Sequence, residues 1–419
     1  MARIDKQRTP SSRFGAAAQA GDGSSRGNPR EQADAAAVIR FVDSILQRAV
    51  EEGASDVHFE PFEGEFRIRY RIDGALLELE PPPHQLCDPV ISRIKVLSDM
   101  NLAEHRVPQD GRIRLDIAGR SVDLRVNTLP TRFGESVVVR VLDRFRARLD
   151  LDCLGLPADI RSAIREILKA PNGMFTVTGP TGSGKTTTLY SAIGELNSVS
   201  RKILTAEDPV EYEIEGLIQV PVNHHAGLDF SRILRALLRQ DPDTIMVGEI
   251  RDPETARIAM RAALTGHLVL TTLHTSDSVS AVTRLINLGL ESHLIAAALQ
   301  AVLAQRLLRS VCPECSAPRP PDTRHLERLG ISEDDIEGRH WHAGDGCPAC
   351  RNTGYCGRFG IFELLRLRGR IGRRVAENSP PAALRREAVR GGMVTLREAG
   401  IRAVREGRTT AEEVLRNTE

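Results

Sequence analysis

Hydrophobic positions change their period several times along this chain. From Asp34 onward, Val38, Phe41, Val42, Ile45, Leu46 and Ala49 recur every three or four residues. That spacing predicts an amphipathic helix, and Gly53 is placed to end it. The period then falls to two. Residues 56–61 read as a short strand, and Phe66, Ile68, Tyr70 and Ile72 alternate with Arg67, Arg69 and Arg71 as in a half-exposed strand. Asp73-Gly74 is a hairpin signal before a returning strand at 75–79. Prolines 81–83 break the chain ahead of a second helix at 90–100, and strands follow at 112–117, 121–128 and 136–142. These elements predict a small α+β domain over 34–144.

Beyond it, charged positions 145–150 read as a linker, and strand and helix patterns then alternate. Helices are expected at 158–169, 187–193, 230–239, 253–264, 278–288 and 294–308, and strands at 174–178, 202–206, 244–247 and 268–273. Such alternation predicts an α/β domain over 145–311, with a mainly parallel sheet covered by helices on both faces. Residues 312–356 are rich in Cys, Pro, Gly and His. Residues 357–419 read as short helices, with Ser379-Pro380 as a helix start and capping boxes at Thr395-x-x-Glu398 and Thr410-x-x-Glu413. Residues 1–33 carry Gly, Ser, Ala, Arg and Gln without an apolar period, which predicts a disordered tail.

Composition narrows the function. Of 419 residues, 41% are hydrophobic and 27% charged, enough for real cores on a soluble chain, yet the net charge is only +1. A near-neutral chain with 4% aromatic residues gives no electrostatic or stacking case for nucleic acid. No apolar run approaches the roughly 20 residues needed to span a bilayer; residues 294–304 come closest, and Gln300 interrupts them. The N-terminus lacks the apolar core of a signal peptide, so a cytoplasmic location is expected. Seven cysteines in such a chain point to a metal or to free thiols rather than disulfides.

The chemistry centres on Gly179-Pro180-Thr181-Gly182-Ser183-Gly184-Lys185-Thr186, which fits G-x-x-x-x-G-K-[ST]. A predicted strand precedes it, and Thr187 and the residues after it continue as a helix. Glycines let the backbone turn its N–H groups toward phosphate oxygens, the helix N-terminus adds its dipole, Lys185 reaches the β- and γ-phosphates, and Thr186 is placed to hold Mg²⁺. A nucleoside triphosphate is the expected ligand.

Phosphoryl transfer also needs acids and cations. Ile245-Met246-Val247-Gly248-Glu249 ends a strand in a carboxylate, and parallel strands offer ligands at their carboxyl ends. Glu249 is therefore placed to hold Mg²⁺ through water. Glu207, opening Glu207-Asp208-Pro209-Val210-Glu211, is the candidate for activating water. His274, at the carboxyl end of 268–273, is placed to sense the γ-phosphate or is an ordinary structural histidine, whereas His267 lies at the structural end. Arg125, Arg140 and Arg251, with Arg235 and Arg239, are either salt-bridged or cationic fingers. Arg140 sits in an apolar strand, where a buried guanidinium would need an anion.

Cys312-Pro313-Glu314-Cys315 and Cys347-Pro348-Ala349-Cys350 are two C-x-x-C pairs with 31 residues between them. Two such knuckles suit tetrahedral Zn²⁺, and four protein ligands leave no open position, so the metal would be structural. The remaining cysteines, Cys87, Cys153 and Cys356, are expected to be buried thiols.

Taken in order, the phosphate loop, Thr205-Ala206-Glu207-Asp208-Pro209-Val210-Glu211, the stretch 237–243 leading into Gly248-Glu249-Ile250-Arg251-Asp252, and 264–275 closely resemble the ATPases of type II secretion and type IV pilus assembly. Ala54-Ser55-Asp56-Val57-His58-Phe59-Glu60 and Val107-Pro108-Gln109-Asp110-Gly111-Arg112 are similar to that family's first-domain motifs. The resemblance implies a RecA-like P-loop core with a smaller PAS-like N-terminal α+β domain, a zinc insert and a C-terminal helical region. It further implies a homo-hexamer that binds ATP between the two domains of each subunit. Glu207 would be the general base, Glu249 the Mg²⁺-linked acid, and Arg125, Arg140 and Arg251 the charge-stabilising groups. The partners it implies are inner-membrane platform proteins, with the chain peripheral to that membrane. Type II secretion is the first expectation, with pilus extension or a competence filament as alternatives. A nucleic-acid-translocating ring ranks below them.

Overall fold

The structure, a computed structural model, describes residues 29–117, 120–142, 149–319, 322–331 and 341–418. Most of the expected N-terminal tail and positions 145–148 of the expected linker lie outside the described residues.

The first layer follows directly from the alternating pattern. Helix α1 (Pro29–Glu52) is followed by β1 (Asp56–Phe62), β2 (Glu65–Ile72), β3 (Ala75–Leu79), α2 (Cys87–Leu97), β4 (Gln109–Ile117), β5 (Arg120–Thr131) and β6 (Gly134–Leu142). The strands form one six-stranded sheet in the order β3-β2-β1-β6-β5-β4, antiparallel throughout. Phe66, Ile68, Tyr70 and Ile72 point inward with Val42, Leu46, Phe59, Ile94 and Val139, so both helices pack on one face. The β2 arginines are left on the other.

In the second layer come α3 (Ala158–Leu168), β7 (Gly173–Thr178), α4 (Lys185–Leu196), β8 (Ile203–Glu207), β9 (Ile218–Pro221), α5 (Phe230–Leu237), β10 (Thr244–Val247), α6 (Pro253–Leu264), β11 (Leu268–Leu273), α7 (Ser278–Asn287) and α8 (Ser292–Ala298). Then follow β12 (Leu299–Val311), β13 (Ser316–Pro318), α9 (Thr323–Leu329), β14 (His342–Gly344) and β15 (Tyr355–Arg366). Four helices close the chain: α10 (Gly369–Ala376), α11 (Pro381–Arg390), α12 (Leu396–Arg405) and α13 (Ala411–Thr418). The large sheet runs β15-β12-β7-β11-β10-β8-β9, parallel except for β15. Alternate residues feed two cores: Met174, Ile245 and Val269 on one face, Phe175, Met246 and Leu270 on the other. Burial on both faces is why these strands read as unbroken apolar runs.

One expected helix is a strand. Residues 294–308 do not continue as a helix: α8 stops at Ala298, and the thirteen residues of β12 pair in parallel with β7 and antiparallel with β15. Ala, Leu, Gln and Arg favour a helix locally, but here Leu299 and Val302 enter one core while Ala301 and Leu303 enter the other. Tertiary pairing overrides propensity. Likewise, residues expected to lie among short helices after Gly357 belong to β15.

Candidate active site

Because β7, β8, β10 and β11 are parallel, their carboxyl ends share one edge. Thr178, Glu207, Val247 and Leu273 close those strands there. The phosphate loop leaves β7 and enters α4, whose first residue is Lys185. Gly179 and Gly184 are held in positive φ, at 152° and 86°. A Cβ at Gly179 would stand 2.5 Å from Gln305 O, and one at Gly184 would stand 2.8 Å from Gln305 Nε2. Strand β12 thus presses on the loop so closely that only glycine fits.

Lys185 is 8% exposed, and its Nζ donates to Gly179 O and Pro180 O, both at 2.9 Å. Burial pulls its pKa down to about 8, and the nearby Glu249 charge only partly opposes this. Among the described residues, Ser183 Oγ is buried without a hydrogen-bond partner, and Glu249 Oε2 is buried with only His274 Nε2 near it, at 3.4 Å. A buried donor left unpaired and a buried acceptor served by one long contact are costly in a free protein, and they match what phosphate oxygens and a hydrated cation would supply. Thr186 is exposed in the first turn of α4, with Thr187 beside it.

Glu249 pairs with Arg251 at 2.5 Å and lies 3.4 Å from His274 Nε2. Burial, with the Lys185 charge next in size, holds His274 below the usual histidine range. Thr178 Oγ1 meets Thr275 Oγ1 at 2.7 Å and locks the His274 loop to the end of β7. Lys185, Glu249, Arg251 and His274 are therefore one group. His267 turns its Nδ1 to Ala262 O at the opposite end of β11.

Glu207 is 3% exposed, and its carboxylate accepts from Tyr190 and Gln219 of neighbouring elements and from Thr205 of its own strand. Arg125 reaches across from the small domain: Nη2 donates to Val210 O at 2.9 Å, and Nη1 lies 3.3 Å from Glu211 Oε2. Arg140 is exposed rather than buried, because its strand turns it outward, and its partner is Asp56 at 3.1 Å. It lines a cavity of about 530 Å³ together with Pro180, Thr181, Gly182, Ser183 and Arg71. A second cavity of about 430 Å³ holds Arg112, Arg125, Arg140 and Pro209. Arg235 and Arg239 are turned to Glu254 and to the Arg235 carbonyl.

Two residues escaped the sequence reading. Arg306 of β12 is buried, with Nη1 on Gln305 O at 3.0 Å, Nε on Asn417 O at 3.2 Å and Nη2 on Ser276 O. It braces the phosphate loop, the His274 loop and α13 against one another. An arginine inside an apolar run was the available signal, lost because that run read as a helix. Tyr190 left no signal at all, since a tyrosine on a helix face reads as core.

The four sulfurs of Cys312, Cys315, Cys347 and Cys350 lie within 4.8 Å of one another. Cys312–Cys347 is 3.9 Å, and Cys315–Cys350 and Cys347–Cys350 are both 3.7 Å. A tetrahedron of thiolates at about 2.3 Å from a zinc has edges of about 3.8 Å. Burial would push the Cys350 thiol up, but the N–H groups of Cys347 and Gly354 and the neighbouring sulfurs hold it down at about 6. The group fits a metal ion. Cys87 is buried, whereas Cys153 and Cys356 are exposed, contrary to expectation.

A family model described as "Type II/IV secretion system protein" matches residues 31–416. The "Type II secretion system ATPase E" of Vibrio cholerae serotype O1 is 47% identical over 388 residues, covering 93% of this chain and 76% of that protein. The "Type IV pilus assembly ATPase PilB" of Myxococcus xanthus is 46% identical over 388 residues, covering 92% and 69%. Among solved structures, the pilus retraction motor PilT with bound ADP aligns at TM-score 0.58 and 26% identity, covering 89% of this chain and 95% of that one.

Proposed function

This chain belongs to the type II/IV secretion system protein family, and on that premise we propose that it is the ATP-hydrolysing motor of a type II secretion system. One observation carries the reading: a phosphate loop whose buried Ser183 Oγ has no hydrogen-bond partner among the described residues shares a cavity with Arg140 of a separate domain.

The roles follow from position. Backbone N–H groups of 179 and 181–187 and the Lys185 ammonium hold the triphosphate, and Ser183 Oγ donates to it. Glu207 orients the attacking water, and His274 senses the γ-phosphate. Arg125, Arg140 and Arg251 offset the charge that develops on the transferring group. Thr186 and Glu249 would hold Mg²⁺, which supplies charge neutralisation between phosphates. The four cysteines would hold a structural Zn²⁺. The working units are 34–144, 145–311, 312–356 and 357–419, the last joined to the second through β15 in the large sheet and a shared core. ATP closes the small domain on the large one, release reopens them, and a homo-hexamer passes the motion to inner-membrane platform proteins from the cytoplasmic side. Among the described residues, no helix is long and apolar enough to cross a membrane.

Identity to the Myxococcus pilus ATPase favours pilus assembly as the second reading. Complementation separates the two. Restored export in a strain lacking its secretion ATPase, together with no restored piliation in a strain lacking its pilus ATPase, supports secretion. The reverse pattern supports pilus assembly. Steady phosphate release by the purified chain is expected in both, and its absence would sink both.

A further inference from the structure

Glu207 does not stand free at the sheet edge. Oε1 accepts from Thr205 Oγ1 at 2.5 Å and from Gln219 Nε2 at 3.0 Å, and Oε2 accepts from the Tyr190 hydroxyl. The same hydroxyl accepts from Glu211 N–H at 3.3 Å. Glu211 and Val210 are the residues that Arg125 grips from the small domain. Tyr190 itself is fully buried on α4, five residues beyond Lys185. Its ring packs edge-on to Tyr212, with centroids 5.8 Å apart.

A phenol kept only for packing would bury its hydroxyl at a cost, and phenylalanine would serve as well. Here the hydroxyl is fully used: it donates to a carboxylate and accepts from a backbone N–H. Burial, and then the Glu207 charge, push the phenol's pKa up, so it stays a donor across the working pH range. On one side it is rooted in the helix that starts at the phosphate loop. On the other it touches the stretch held by the small domain.

We infer that the Tyr190 hydroxyl is a positioning group that fixes the Glu207 carboxylate and ties it to segment 210–211, so that the grip of Arg125 is transmitted to the residue that orients water. This rests on the proposed role of Glu207. Domain closure would then set the carboxylate's aim as well as bring arginines to the phosphates.

Tyr190→Phe removes one oxygen and leaves the ring against Tyr212. The expected result is a fall in kcat of at least about tenfold, with Kd for a fluorescent ATP analogue within about twofold and an unchanged melting temperature. A kcat within twofold of the parent would overturn the inference. So would a proportional loss of kcat, affinity and melting temperature, which marks a packing role. If Tyr190→Phe does not fold, 3-fluorotyrosine at position 190 changes only the acidity of the hydroxyl. A changed kcat at unchanged Kd is then expected, and an unchanged kcat overturns the inference. Glu207→Gln tests the underlying reading separately. Retained turnover there removes Glu207 from the chemistry, whereas lost turnover beside a normal Tyr190→Phe removes only the link proposed here.

Discussion

Lys95 in the small domain and Lys185 at the phosphate loop are both withdrawn from solvent, at 0% and 8% exposure, yet their surroundings differ in kind. Lys95 Nζ donates to both oxygens of Glu135 at 2.9 Å and to Glu104 O at 2.7 Å. All three of its protons are spent, and its charge is cancelled by a carboxylate that is itself buried. Among the described residues, Lys185 has two carbonyls and no ion pair of its own; Glu249 acts on it only through space. The first ammonium is finished, and the second is short of one acceptor and of a counter-charge. Completeness of hydrogen bonding, more than burial, separates a lysine that holds a fold from one that awaits a ligand.

Breaking each lysine should therefore break different things. Lys95→Ala leaves Glu135 buried without its ammonium partner, which costs about 3–5 kcal/mol of stability in urea unfolding. His105 Nδ1, 2.6 Å from Glu135, is half outside and cannot replace it. Lys185→Ala should lower turnover by roughly 10²–10³-fold, the cost of losing one preorganised donor to developing charge. Its unfolding midpoint should stay at or slightly above that of the parent, because a poorly satisfied buried cation has been removed. If the two variants exchanged these phenotypes, the contrast would be wrong. Arg140→Ala should have a smaller effect, raising the ATP concentration needed for half-maximal turnover several-fold. Because the Arg140 guanidinium is itself exposed, and buried Asp56 keeps the Ser55 hydroxyl at 2.8 Å, their pairing contributes only about 0–1 kcal/mol to stability. Smaller still in the nucleotide chemistry is the effect of the four-cysteine group. Cys347→Ser with Cys350→Ser should abolish the one zinc per chain expected in atomic emission, while the affinity for ATP changes less than twofold.

How much of this was legible beforehand depends on sequence distance. The phosphate loop is eight contiguous residues, and a local motif of that kind carries its own geometry. The edge shared by Glu207, Glu249 and His274 was legible because each acid or histidine closes an apolar strand, and parallel strands align their ends. Strand β12 was not legible. Its pattern of Ala, Leu, Gln and Arg suits a helix, and only pairing with β7 on one side and β15 on the other makes it a strand. Arg306 was hidden with it. The Lys95–Glu135 pair spans forty residues of chain, and no periodicity relates two such positions. Nor could the sequence distinguish Arg140 facing outward to Asp56 from Arg140 buried beside a ligand, since an arginine between valines reads the same way in both cases.

The pH dependence of ATP binding tests the central contrast most directly. In the free protein, burial disfavours the charged form of Lys185 and places its pKa at about 8, below its unfolded value of about 10.4. The penalty for carrying that charge is fully present below pH 8 and is relieved as pH rises from about 8 toward 10.4. A bound triphosphate supplies the missing counter-charge and raises the pKa again, so binding takes up protons between the free and bound values. Calorimetry in two buffers of different ionisation enthalpy at pH 8.5 should show net proton uptake on ATP binding. Affinity should fall above pH 8 by up to about tenfold per unit. Binding with no proton uptake and a flat affinity from pH 7 to 9.5 would contradict the account, because Lys185 would then be as complete without nucleotide as Lys95 is.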